Sequence, residues 1–204
     1  MHAAKELADA LEDIRPSAIF DTLVRTVTLR SLLDAHVGAG GLPEVRTINP
    51  DLLYAGGSSF SGGRFTPVGG PASLYLASSE RTANAEWRSG SILISGTARP
   101  PKVVFFAQVK LERTLDVTDN KNQQRLNTSA VELASDWKLI ADSPTQRLGR
   151  ATYDSGRFSA IWYRSTKDSR GYCIVVFPEK LSKSEFVSVV DPSGIFSVNP
   201  LVGR

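Results

Sequence analysis

FSAIWYRSTKDSRGYCIVVF, residues 158–177, holds two apolar runs, Phe158 to Tyr163 and Tyr172 to Phe177, separated by the polar, turn-rich stretch STKDSRG. Short runs rich in aromatic and β-branched residues read as strands, and so short a connection makes them a hairpin-like pair. It has no room for a crossover helix, so a doubly wound parallel sheet fits poorly and a mixed sheet fits well. Working outward, strand and helix patterns intersperse. Lys102 to Leu111 (KVVFFAQVKL) is the strongest strand pattern, with Thr114 to Val117 continuing it or pairing with it, and Phe186 to Val190 is the final strand. Ala72 to Ala77 (ASLYLA) is a short strand followed by Ser78 or Ser79 as the N-cap of a helix through about Arg88. Ser143-Pro144-Thr145-Gln146 combines a capping-box spacing with proline at the first helical position, which predicts a helix through about Asp154, ended by Gly156. The fold class expected from these elements is α+β.

Towards the N-terminus, Leu7, Leu11 and Ile14 are spaced for a short amphipathic helix that Pro16 stops. Residues 1–16 are therefore expected to form a helical extension, with residues 17–204 as one domain. Phe20 to Val27 reads as a strand, and Leu29 to Val37 as a helix ended by Gly38. Gly38 to Pro71 is rich in glycine and proline and reads as a long irregular segment, more often functional than idle. Leu126 to Ala141 reads as a helix with a break at Ser135.

A chain of 204 residues with 41% hydrophobic and 22% charged residues has room for one well-packed core and is not disordered as a whole. Its 24 Lys and Arg against 21 Asp and Glu leave +3, too weak a field for a dedicated nucleic-acid binder, so no direct nucleic-acid binding is expected. No apolar run approaches the roughly 18 residues of a bilayer span, so no membrane partner is expected either. Cys173 is the single cysteine, and His2 and His36 are the only histidines. That leaves no Cys/His metal site, and a serine triad would depend on His36. Neither familiar phosphate-loop pattern occurs between a strand and a helix. The opening MHAAKELADALEDIRP lacks a basic start followed by an apolar core, from which an intracellular protein is expected.

The chemistry-bearing stretch is SGGRFTPVGGPASLYLASSERTANAEW, residues 61–87. Arg64 follows Gly62 and Gly63, which let the backbone approach a ligand while the guanidinium grips phosphate bidentately. Taken alone, it fits a surface arginine on a loop better. Tyr75 alternates with Leu74 and Leu76, so it faces away from them and either lines a pocket or belongs to the core. Glu86, between Ala85 and Trp87, is either a solvated residue or a buried charge kept for catalysis. Ser165 stands just past a strand end, where sites are built and where turn-forming serines are common. Arg25, in the apolar TLVRTV, is a phosphate contact or a strand-edge arginine facing water.

In combination the picture sharpens. The run GGRFTP, then LYLA, then TANAE, and far downstream WYRS with VVF resembles the RES domain, which is named for its arginine, glutamate and serine; the matching residues here are Arg64, Glu86 and Ser165. The resemblance includes PTQRLGRATYDSG and covers roughly residues 20–192. The chain departs from the family pattern at Phe65, where tryptophan is common, at Thr66, where asparagine is frequent, and at Arg164, where proline often precedes the serine.

The resemblance implies a mixed, split β-sheet flanked by helices, similar to ADP-ribosyltransferase toxins. It also implies a bacterial, cytoplasmic toxin that consumes NAD as substrate, with no separate cofactor. Its partner would be an antitoxin or immunity protein, of the kind bearing an Xre-type helix-turn-helix. It further implies that Glu86 serves the ribose, Arg64 the pyrophosphate, and Ser165 orients the ligand or Glu86. Tyr75 is expected to stack near the nicotinamide or ribose, and Arg25, Gly63 and Phe65 are the further substrate-binding candidates. Cleavage of the nicotinamide–ribose bond by water or phosphate is the leading expectation. Transfer of ADP-ribose to a protein, or a nucleotide-binding module without turnover, are the alternatives, and the same enzyme delivered to other cells is a further one.

Overall fold

The computed structural model describes residues 2–28, 33–37, 43–48, 52–91, 102–140, 142–194 and 199–203. Helix α1 (His2–Glu12) presents Leu7 and Leu11 to the first of two apolar cores. The chain then extends as β1 (Ser17–Thr28), and β2 (Leu33–Val37) pairs antiparallel with β3 (Pro43–Ile48) in a separate two-stranded sheet. The helix expected over 29–37 is thus overturned for residues 33–37. Leu33, Ala35 and Val37 alternate with Asp34 and His36, a period of two that favours a strand. Gly38, read as a helix cap, lies outside the described residues.

Short helix α2 (Gly57–Ser61) and β3 both interrupt the segment expected to be irregular. Strand β4 (Leu74–Ala77) and helix α3 (Glu80–Ser91) follow as the expected strand–turn–helix unit, with Ser79 Oγ capping the helix by accepting from Thr82 N at 3.2 Å. Strand β5 (Lys102–Asp116) absorbs the separate run at 114–117 as its continuation. Helix α4 (Asn120–Arg125) comes first, and over 126–140 the helix expected across 126–141 is replaced by α5 (Ala130–Ala134) and one 3-10 turn, Trp137–Leu139, with residue 141 outside the described residues. The cause is local: Ser129 and Asp136 each cap a new start, and Asn127 turns left-handed at φ 49° after α4. The break at Ser135 is where the sequence put it.

Helix α6 (Pro144–Ser155) leads into β6 (Ala160–Arg164) and β7 (Tyr172–Val176), an antiparallel hairpin, then β8 (Phe186–Val189) and β9 (Leu201–Val202). The main sheet runs β1-β4-β7-β6-β5-β8-β9, and an added β1–β5 pairing closes β1, β4, β7, β6 and β5 into a circuit. The β5–β6 pair is parallel and the remaining pairs antiparallel, so the sheet is mixed as expected. Its faces sort by strand alternation. Leu23, Leu74, Leu76, Ile174 and Val176 fill one core, while Val24, Ala77, Ile161, Cys173 and Val175 fill the other, beneath α1 and α6. Among the described residues no helix is long and apolar enough to cross a membrane.

Candidate active site

The second set of strand residues continues into a cavity of about 670 Å³, a size that suits a small-molecule ligand. Tyr75 from β4, Tyr163 from β6 and Cys173 from β7 line its floor, and α3 supplies Glu86 and Trp87 to its wall. Helix α3 packs along β1, where Trp87 Nε1 donates to Thr28 Oγ1 at 3.2 Å.

Arg64 sits in a tight turn closed by Gly63 N donating to Thr66 O at 2.7 Å. Gly63 is required there by close approach, because a Cβ would lie 2.5 Å from the Tyr75 hydroxyl oxygen. That hydroxyl accepts from Phe65 N at 3.2 Å and bonds Thr66 Oγ1 at 3.1 Å, which ties the turn to β4. Loss of solvent pushes the Tyr75 phenol up to about 12, so it acts as a neutral hydroxyl. Arg64 lines the cavity, and its guanidinium is held by residues outside the lining: Nη1 donates to Leu133 O at 2.7 Å and Ser135 O at 2.9 Å, and Nη2 to Thr166 Oγ1 at 3.1 Å. Phe65 does not line the cavity; it is 1% exposed and packs edge-on against Tyr163, with ring centroids 4.8 Å apart.

Glu86 and Ser165, distant in sequence, meet: Ser165 Oγ donates to Glu86 Oε1 at 2.6 Å. Ser165 Oγ itself accepts from Lys167 N and Asp168 N, each at 3.1 Å. Both lone pairs are then engaged and the proton is committed to Glu86. Ser165 is buried and lies off the cavity wall, with its hydroxyl on the Glu86 carboxylate. The Cys173 thiol lies 3.9 Å from the same Glu86 oxygen, and burial, reinforced by the Glu86 charge, pushes it far up, which leaves it an inert thiol. Burial likewise pushes the Tyr163 phenol well up.

Arg25 reaches the cavity edge, donating from Nη1 to Leu52 O at 2.8 Å and from Nη2 to Tyr54 O at 3.0 Å. Lys138 and Lys167 also line the cavity, so cations outnumber carboxylates around Glu86. Among the described residues no group of three or more His, Cys, Asp or Glu is placed to hold a metal ion. The structure thus brings Arg25, Gly63, Arg64, Tyr75 and Glu86 to one cavity, with Ser165 and Phe65 behind it. Sequence reasoning missed Trp87 and Tyr163. Tyr163 was legible as an aromatic in the strand that leads into Ser165; Trp87 follows Glu86 directly but gave no signal of its own.

The sequence profile of the RES domain matches residues 43–198. A chain in the crystal structure of the M. tuberculosis MbcT–MbcA toxin–antitoxin complex superposes with a TM-score of 0.68, covering 92% of this chain and 90% of that one at 16% identity, so the two share a fold. No curated protein matches the sequence. On a profile match through most of its length, the chain belongs to the RES domain family.

Proposed function

We propose that the chain is the toxin of a toxin–antitoxin pair and that it breaks the bond between nicotinamide and ribose in NAD. The observation that carries this reading is the Glu86 carboxylate, with one oxygen fixed by Ser165 inside a cavity rimmed by arginine and lysine. When the C1′–N bond breaks, its electron pair goes to the pyridinium ring, which leaves as neutral nicotinamide. Positive charge develops on the ribose, and a preorganised carboxylate stabilises it where it forms. Glu86 Oε1 is taken by Ser165, so Oε2 is the oxygen for a ribose hydroxyl. Arg64, Arg25, Lys138 and Lys167 supply positive charge for the pyrophosphate, and Tyr75 offers a ring face for stacking. Water or phosphate then bonds to C1′ and releases its proton to solvent.

Family membership supports the toxin assignment, and the shared fold with a chain of a toxin–antitoxin complex supports an antitoxin partner. On this reading the antitoxin, of the Xre-type helix-turn-helix kind, silences an enzyme that draws on the cytoplasmic NAD of a bacterium.

The test is incubation of the purified chain with NAD, with products followed by chromatography and Glu86→Gln run alongside. The expected outcome is stoichiometric nicotinamide release by the wild type and a loss of at least about 10³-fold in the variant, whose thermal unfolding stays close to wild type. Free ADP-ribose identifies water as acceptor, its 1″-phosphate identifies phosphate, and a labelled protein in lysate identifies a transferase. NAD left intact in both buffer and lysate, or a fully active Glu86→Gln, overturns the reading.

A further inference from the structure

Two parallel hydrogen bonds join the loop after β6 to helix α3. Ser165 bonds Glu86 at 2.6 Å, and three residues along the loop Asp168 Oδ2 accepts from Thr82 Oγ1 at 2.9 Å. Thr82 and Glu86 are four residues apart, one turn on the same face of α3. The catalytic pairing and the Asp168–Thr82 pairing therefore lie side by side between the same two elements. From this geometry we infer that Asp168 and Thr82 are positioning residues that set Ser165 against Glu86; their effect on turnover rests on the NAD-cleaving reading above.

The pair is built as a fixed clamp. Asp168 is 6% exposed and Thr82 fully buried. Thr82 Oγ1 spends its one proton on Asp168, so the bond to Ser79 Oγ at 2.8 Å is donated by Ser79, the residue that caps α3. Asp168 Oδ1 accepts from Arg170 N at 3.3 Å and faces the exposed Arg81 Nη2 at 3.4 Å. The hydrogen bond from Thr82 holds the Asp168 carboxyl below the usual carboxylate range, so it stays an acceptor at neutral pH. The loop is closed on itself by Ser165 N donating to Gly171 O at 3.0 Å and Gly171 N donating to Asp168 O at 2.9 Å. Since Asp168 N also donates to Ser165 Oγ, any shift of Asp168 moves the serine hydroxyl directly. Neither Asp168 nor Thr82 lines the cavity, so they act through Ser165 and not on the ligand.

The experiment is a double-mutant cycle on the full chain, pairing Thr82→Val with Ser165→Ala, with kcat and KM for NAD measured throughout and the exchange of the Lys167 and Asp168 amides followed in parallel. The expected result is a kcat about tenfold lower in Thr82→Val with KM changed less than about twofold. Thr82→Ser, which keeps the hydroxyl, recovers most of the loss, and Thr82→Val costs nothing further when Ser165 is already alanine. The two amides lose protection in Thr82→Val and keep it in Thr82→Ser. A wild-type kcat in Thr82→Val, or an equal loss with and without Ser165, overturns the inference. If Thr82→Val does not fold, Asp168→Asn carries the same cycle. If the wild type leaves NAD intact, the reading of the reaction fails by itself, and amide protection alone then decides the positioning role.

Discussion

The hydroxyl of Ser165 accepts from Lys167 N and Asp168 N and donates to Glu86, and those directions decide its chemistry. A nucleophilic serine needs a base to take its proton and a free lone pair to attack; here the proton points at a carboxylate oxygen and both lone pairs are engaged. Glu86, which lines the cavity, is thereby the group placed to face a ligand on the proposed reading, with its rotation about the carboxyl axis restrained by Ser165. Replacing Ser165 by alanine is expected to lower kcat for NAD by roughly 10–100-fold, the worth of one hydrogen bond to a charged group, while KM changes little. The same geometry predicts that an activated fluorophosphonate leaves the wild-type chain unlabelled, checked by intact mass; an adduct on Ser165 would assign it a nucleophile's role. In the sequence neither residue was decidable alone, and their pairing was one of the two roles that the family resemblance implied for Ser165. Seventy-nine positions separate them, and nothing local to either predicts that they touch.

Between elements, the decisive contact is the docking of α6 beneath the arginine turn. Gln146 Nε2 donates to Gly63 O at 3.2 Å and to Thr66 O at 3.4 Å, and Gly149 packs against the Phe65 carbonyl so closely that a Cβ there would run into backbone. Backbone on both sides cannot yield as a flexible side chain would. Gly149→Ala is therefore expected to cost about 3 kcal/mol, a Tm lower by roughly 6–12 °C, and to raise KM for NAD as the Arg64 turn shifts. Thermal unfolding and steady-state kinetics check the two halves; an unchanged Tm would mean that α6 slides freely. The start of α6 was legible because its signal is local: Ser143 Oγ accepts from Gln146 N at 3.3 Å, as the capping spacing implied. The destination of the Gln146 side chain was not, since it serves the turn around Arg64 and not its own helix. The misreadings at 33–37 and 126–141 have separate, local origins. In the first, a period of two was read as a helix; in the second, apolar residues were counted across two polar caps, Ser129 and Asp136, that each restart the chain.

Across the whole molecule, one buried carboxylate joins strands that the sequence keeps far apart. Glu185, 1% exposed, accepts from Glu112 N at 2.8 Å and Arg113 N at 2.9 Å on β5, from Ser159 Oγ at 2.7 Å at the entry to β6, and from Ser182 N at 2.7 Å just before β8. Arg113 Nη2 adds an ion pair at 3.0 Å. Burial alone would push this carboxyl up; the hydrogen bonds from Ser182, Ser159, Glu112 and Arg113 more than reverse that and hold it near 2, against 4.5 for an ordinary glutamate. A folded-state value below the unfolded one means that the stabilisation is fully present above about pH 4.5 and drains away as pH falls toward 2. Glu185→Gln keeps the shape, removes the charge and sets an amide against backbone donors, at an expected cost of about 3 kcal/mol at neutral pH. Urea unfolding at neutral pH and at about pH 3 should show the wild type losing stability between the two by more than the variant does, because other carboxylates with lowered values and no coupling to Glu185, Asp168 among them, contribute to both proteins alike. Parallel losses in the two proteins would show that Glu185 does not couple the sheet to pH, and would leave the β5–β6–β8 junction held by its backbone ladders alone.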